Sequence, residues 1–84
     1  MFTVITFYRY VQQSEVKQLR ERLYAACVNH QIYGRILIGE EGLNGAVCGL
    51  TPEIVEFQNF LEELYPNLTY RVQESGHQVF HKRV

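Results

Sequence analysis

No stretch of this chain approaches the ~18 consecutive apolar residues that a membrane span needs, so no membrane contact is expected. Cysteine is scarce: Cys27 and Cys48 stand far apart, form no CxxC pair and lie among apolar neighbours, the setting of reduced thiols in a core. Met1 leads straight into Phe2-Thr3-Val4-Ile5-Thr6-Phe7, without the basic segment or small-residue cleavage site of a signal peptide. Together these absences predict a cytoplasmic location. Net charge is nearly absent as well. A formal charge of −1 provides no overall field toward nucleic acid or anionic lipid, and leaves only a local basic stripe open. Metal-ligand spacing is missing too, since His30, His77 and His81 fall in separate segments with no HxxxH helix pair; neither a metal nor another cofactor is expected in this domain.

What is present suffices for one core. Eighty-four residues close a single domain, 1–84. With 46% hydrophobic residues, six Tyr and five Phe, that domain is expected to fold without metal or disulfide.

The chain changes period in an orderly way. Residues 2–10 are β-branched and aromatic, without Gly or Pro, which predicts a strand near the centre of a sheet. From Ser14, a candidate N-cap, apolar residues recur three or four apart at Val16, Leu19, Leu23, Ala26 and Cys27, the spacing of an amphipathic helix of four turns. Arg35-Ile36-Leu37-Ile38 and Gly45-Ala46-Val47-Cys48 read as two short strands joined by the segment Gly39 to Asn44. Thr51-Pro52-Glu53 supplies an N-cap, a proline for the first turn and an acidic residue, and Ile54, Phe57, Leu61 and Leu64 form the apolar stripe of a second helix ending near Tyr65. Thr69-Tyr70-Arg71-Val72 reads as a fourth strand. After a turn at Ser75-Gly76, residues 79–84 read as a further strand or its beginning. The order β-α-β-β-α-β, with right-handed crossovers, predicts an α+β ferredoxin-like (acylphosphatase-like) sandwich with an antiparallel sheet and two helices on one face. Because Lys82-Arg83-Val84 ends inside an extended pattern without turn or cap, the domain is expected to be excised from a longer protein.

Three segments bear on chemistry. The glycines of Gly34 to Gly45 bracket Glu40, Glu41 and Asn44. The segment reads either as a rigid loop presenting these side chains to a ligand or neighbouring domain, or as ordinary Asn44-Gly45 turn chemistry with solvated glutamates. A Glu40–Glu41 acid–base dyad is disfavoured, because adjacent extended residues point to opposite faces. Tyr8, Arg9 and Tyr10, with Arg71, His81, Lys82 and Arg83 in the tail, offer the aromatic faces and cations used on four-stranded sheets for single-stranded RNA. The alternative for them is packing and solubility, since the aromatic-rich RNA-recognition signature is missing. Acylphosphatase chemistry is a further alternative on this order of elements. It requires a glycine-rich anion loop after the first strand, and Arg9-Tyr10-Val11-Gln12-Gln13-Ser14 contains no glycine.

Taken together, Tyr8-Arg9-Tyr10, Gly34-Arg35-Ile36-Leu37, Glu40-Glu41-Gly42-Leu43-Asn44-Gly45, Gly49, Phe80 and Lys82 resemble the N-terminal domain of the rhodanese-linked tRNA uridine hydroxylases, nearly end to end. The resemblance implies a parent enzyme that hydroxylates carbon 5 of the wobble uridine with molecular oxygen as co-substrate. It implies an acylphosphatase-like domain ahead of a rhodanese domain whose loop carries an essential cysteine. Neither Cys27, on a helix face, nor Cys48, in a strand, inherits that role, so no catalytic residue is assigned. The expected function is substrate positioning or RNA binding, with the tRNA anticodon region and the protein's own rhodanese domain as partners; a stand-alone acylphosphatase-like hydrolase and a protein–protein interaction module are the alternatives. Tyr8, Arg9, Tyr10, Arg35, Lys82 and Arg83 are the expected RNA-facing residues, and Glu40, Glu41, Gly42, Asn44 and Gly45 the motif loop.

Overall fold

The structure, a computed structural model, describes residues 1–82. Its elements run β1 (Phe2–Tyr10), α1 (Val16–Asn29), β2 (Tyr33–Gly39), β3 (Gly42–Leu50), α2 (Thr51–Leu64) and β4 (Thr69–Ser75). The strands lie in the order β2-β3-β1-β4, every pair antiparallel, and the helices pack on one face of the sheet. This is the ferredoxin-like, acylphosphatase-like βαββαβ arrangement, with β1 internal. The apolar content of β1 follows from that position, since a strand paired on both sides needs side chains that tolerate burial.

Alternation along β1 divides the sheet into a packed and an open face. Ile5 and Phe7 point into the core with Val47 and Leu43 of β3. Against them lie Leu23 and Cys27 of α1 and Ile54, Phe57 and Leu61 of α2, the last three fully buried. Of the stripes expected of the helices, Leu23, Cys27, Ile54, Phe57 and Leu61 enter the core and Ala26 and Leu64 pack against it, whereas Val16 and Leu19 stay half-buried outside it. Burial pushes the Cys27 thiol up to about 12, so it stays protonated and behaves as a small apolar side chain.

Four local expectations are corrected. Ser14 does not cap α1. The residue before the helix is Glu15 in a left-handed conformation (φ 57°) with no side-chain cap, and its carbonyl accepts the first helical bond, from Leu19 N at 3.1 Å. Thr51 is the first residue of α2 and not its cap; its hydroxyl donates to the Met1 carbonyl at 3.2 Å and meets the Thr3 hydroxyl at 2.8 Å, tying the helix start to β1. The connection Gly39 to Asn44 shrinks to a turn at Glu40-Glu41, with Gly42, Leu43, Asn44 and Gly45 inside β3. Leu43 drives that change by joining the core, and Gly42 permits it. Gly42 has φ +139°, and a Cβ there would lie 2.0 Å from the Arg9 carbonyl oxygen. Finally, residues 79–82 form no strand; the remainder of that expectation, including Arg83, lies outside the described residues.

After β4 the chain crosses the open face as a strap. Cys48 lies on that face yet is fully buried, because its Sγ takes the Phe80 N–H at 3.2 Å while the Lys82 carbonyl accepts Gly34 N–H at 3.0 Å on the edge strand β2.

Candidate functional site

Side chains of alternate residues stand in rows across the open face, and the register sets their neighbours. One row reads Leu37, Asn44, Tyr8, Thr69 from β2 to β4, and all four are exposed. Tyr10 extends it toward the hairpin, its ring 6.1 Å from that of Tyr8 and tilted by 58°. The next row reads Arg35, Ala46, Thr6, Arg71. The row beyond, Tyr33, Cys48, Val4, Gln73, passes under the strap at Cys48.

The middle row is thus the floor of a trough, with the small side chains of Ala46 and Thr6 at its centre and an arginine at either edge. Three strand spacings put the two edges about 14 Å apart. One wall is the Tyr8 row, about 7 Å along the strands; the other is the strap. Beyond the Tyr8 row, a shallow depression of about 920 Å³ reaches around the hairpin tip and is lined by Tyr8, Tyr10, Leu37 and Asn44 among others. Charge is unevenly placed. The strands contribute Arg35 and Arg71 to the open face and no carboxylate, since Glu74 lies on the helix side of β4 and Glu40 and Glu41 stand at the hairpin tip. A chain of net charge −1 therefore presents a cationic, aromatic face.

The residues expected from the sequence are only partly brought together. Tyr8, Tyr10 and Arg35 share the open face, and so does Asn44, which the strand register places directly opposite Tyr8. Lys82 joins them at the β2 edge, one residue from Arg35 along that strand. Arg9 alternates to the other face, where its guanidinium donates to the Pro66 carbonyl beyond α2. Arg71, Thr6 and Ala46 complete the trough. Their place on it depends on pairings between strands distant in sequence, which no local signal reveals.

The segment after β1 is committed to structure. Val11 N–H donates to the Glu41 carbonyl at 3.0 Å and Gln13 N–H to the Glu40 carbonyl at 2.9 Å. These are two of the amides that an anion cradle at this loop would need, and the hairpin turn occupies both. The glutamate side chains at the turn are exposed. Among the described residues no group of three or more His, Cys, Asp or Glu could hold a metal ion, and no helix is long and apolar enough to cross a membrane.

The fold and site define a four-stranded split βαβ domain that buries its helices on one face and keeps half of the other open, aromatic and basic. Comparison with known proteins gives this class its family. The UPF0176 acylphosphatase like domain matches residues 2–84, and the chain belongs to that family. It is 34% identical over 83 residues to a tRNA uridine(34) hydroxylase of Wolbachia sp. subsp. Brugia malayi (strain TRS), covering 96% of this chain and 31% of that protein. It is 37% identical over 60 residues to the tRNA uridine(34) hydroxylase of Neorickettsia sennetsu, covering 71% of this chain and 21% of that protein. A tRNA uridine(34) hydroxylase of Staphylococcus aureus (strain Newman) is 25% identical over 83 residues, covering 96% of this chain and 26% of that protein. The chain thus spans no more than about a third of the length of these curated relatives.

Proposed function

We propose that this chain is the tRNA-binding, substrate-positioning domain of a tRNA uridine(34) hydroxylase, working in the cytoplasm where its substrate is found. The observation that carries the reading is the open half-face, with Tyr8 and Tyr10 exposed above a trough edged by Arg35 and Arg71 and free of strand carboxylates. Unpaired bases stack on tyrosine rings, and guanidinium groups neutralise the phosphates between them. The negative hairpin tip at Glu40 and Glu41 would repel phosphates, so the RNA backbone runs on the trough side of Tyr8, past Arg35 and Lys82. The relatives' shared name, tRNA uridine(34) hydroxylase, supplies the substrate class for such a surface.

The hydroxylation itself belongs, in this proposal, to polypeptide outside these 84 residues, including a rhodanese domain and the use of molecular oxygen. The thiols here support that division. Cys27 is buried with its pKa pushed up to about 12, and Cys48 is closed off by the strap, so neither presents the accessible thiolate that nucleophilic chemistry needs.

The test is a titration of anticodon stem-loop RNA into wild type and a Tyr8→Ala, Tyr10→Ala, Arg35→Ala triple variant at two salt concentrations. Weak binding by wild type is expected, with a logarithmic salt slope of about 0.7 to 0.9 for each phosphate contacted, and substantially weaker binding by the variant. Equal affinities would remove the open face from RNA recognition.

A further inference from the structure

Asn44 belongs, by sequence, to a glycine-rich connection, but the structure sets it within β3 as the direct cross-strand partner of Tyr8. Directly opposed residues have Cβ atoms about 4.5–5.5 Å apart, and both side chains are exposed on the same face. On its other side Asn44 is paired with Leu37, half exposed. Among the described residues the Asn44 carboxamide makes no hydrogen bond, whereas Gln13 and Gln78 both use theirs. It is therefore a free donor–acceptor pair beside a free aromatic face, with an apolar side chain beyond it.

Resting on the RNA-binding reading above, we infer that Asn44 is a specificity-determining residue that hydrogen-bonds the Watson–Crick edge of an unpaired base stacked on Tyr8. A carboxamide offers one C=O acceptor and N–H donors side by side. The Watson–Crick edge of uracil offers N3–H as donor next to O4 and O2 as acceptors, so the two meet head to tail through a pair of hydrogen bonds. A base already paired in a helix has spent these groups. Asn44 thereby selects an unpaired nucleotide, while Tyr8 supplies stacking that every base can use. Tyr10 cannot form a parallel sandwich with Tyr8 around that base, because the rings are tilted by 58° with centroids 6.1 Å apart, less than the ~7 Å that two stacking distances require. The edge contact, and not a second ring, is what fixes the base.

The experiment uses the 84-residue chain and two labelled RNA hexamers, oligouridine and the same oligomer of N3-methyluridine. The methylated oligomer keeps the phosphates and the stacking face but loses the N3–H donor. Wild type should bind oligouridine roughly tenfold more tightly than the methylated oligomer. Asn44→Ala, with an unchanged thermal melt, should bind both oligomers equally, at about the wild-type affinity for the methylated one. Tyr8→Ala should weaken both together. Persistent discrimination by Asn44→Ala, or its absence in wild type that binds both oligomers, overturns the role of Asn44 and leaves the RNA-binding face standing. Failure of wild type to bind either oligomer, or any anticodon stem-loop, overturns the reading on which it rests.

Discussion

The Tyr65 hydroxyl donates a 2.9 Å hydrogen bond to Oε1 of Gln13, whose Nε2 donates to the carbonyls of Gly39 and Gly42 at 2.7 and 3.2 Å. One carboxamide thus joins the end of α2, the segment after β1 and the β2–β3 hairpin. Burial raises the Tyr65 pKa above its ordinary value despite the opposing effect of this bond, which keeps the hydroxyl a donor. Gln13→Ala should cost about 1–3 kcal/mol, because the half-buried partners lose their bonds together. Amide exchange at Gly39 to Gly42 should accelerate in parallel. A loss below ~0.5 kcal/mol in chemical denaturation would show that water replaces the side chain.

Phe57 of α2 and Leu23 of α1 both lie in the core, at 0% and 2% exposure. Truncating either to Ala leaves a cavity that the surrounding sheet can only partly close, with an expected loss of about 2–5 kcal/mol. Equilibrium urea unfolding measures it. A change of surface size at either position would contradict the packing described.

Thr6 lies at the floor of the trough between Arg35 and Arg71, exposed to solvent. Thr6→Glu would put a carboxylate where an RNA phosphate is proposed to pass, while changing stability by no more than about 1 kcal/mol at an exposed strand position. RNA affinity should fall and its salt dependence flatten, as one phosphate contact is lost to repulsion. Undiminished binding would place the backbone elsewhere.

Alkaline pH should destabilise the domain through groups the fold keeps protonated. Burial moves the Cys27 thiol from 9.0 to about 12; burial first, then the Glu62 carboxylate, moves the Tyr70 hydroxyl from 10.0 to about 12. The unfolded chain releases these protons first. Their contribution to stability is complete below about pH 9 and is lost as pH rises toward 12, by at most about 1.4 kcal/mol per pH unit for the Cys27 proton and by less for Tyr70, which solvent partly screens. Denaturation midpoints across that window test it. Cys27→Ala should remove the early part of the decline, and a profile flat to pH 11 in wild type would refute the assignment.

The sequence alone determined the order of the six elements and the core-facing stripes at the centres of the two helices. Both follow from local periodicity, since the spacing of Leu23 and Cys27, or of Ile54, Phe57 and Leu61, marks one helix face whatever that face packs against. The expected grouping of Arg9 with Tyr8 and Tyr10 on one RNA-facing surface fails, because alternation along β1 sends Arg9 to the helix side. Tertiary structure decided everything that needs a partner strand. Asn44 reaches Tyr8, and Arg71 reaches the row of Arg35, only through the β1–β3 and β1–β4 registers, which join residues far apart in the chain. A slip of one residue in either pairing would send every side chain of the slipped strand to the opposite face. The strap over Cys48 rests on thiol and backbone bonds of Phe80 and Lys82, and the hairpin clamp on the carboxamide of Gln13. Such bonds leave no period in the sequence, because backbone carbonyls are the same at every residue and only the folded chain selects which of them meet a donor.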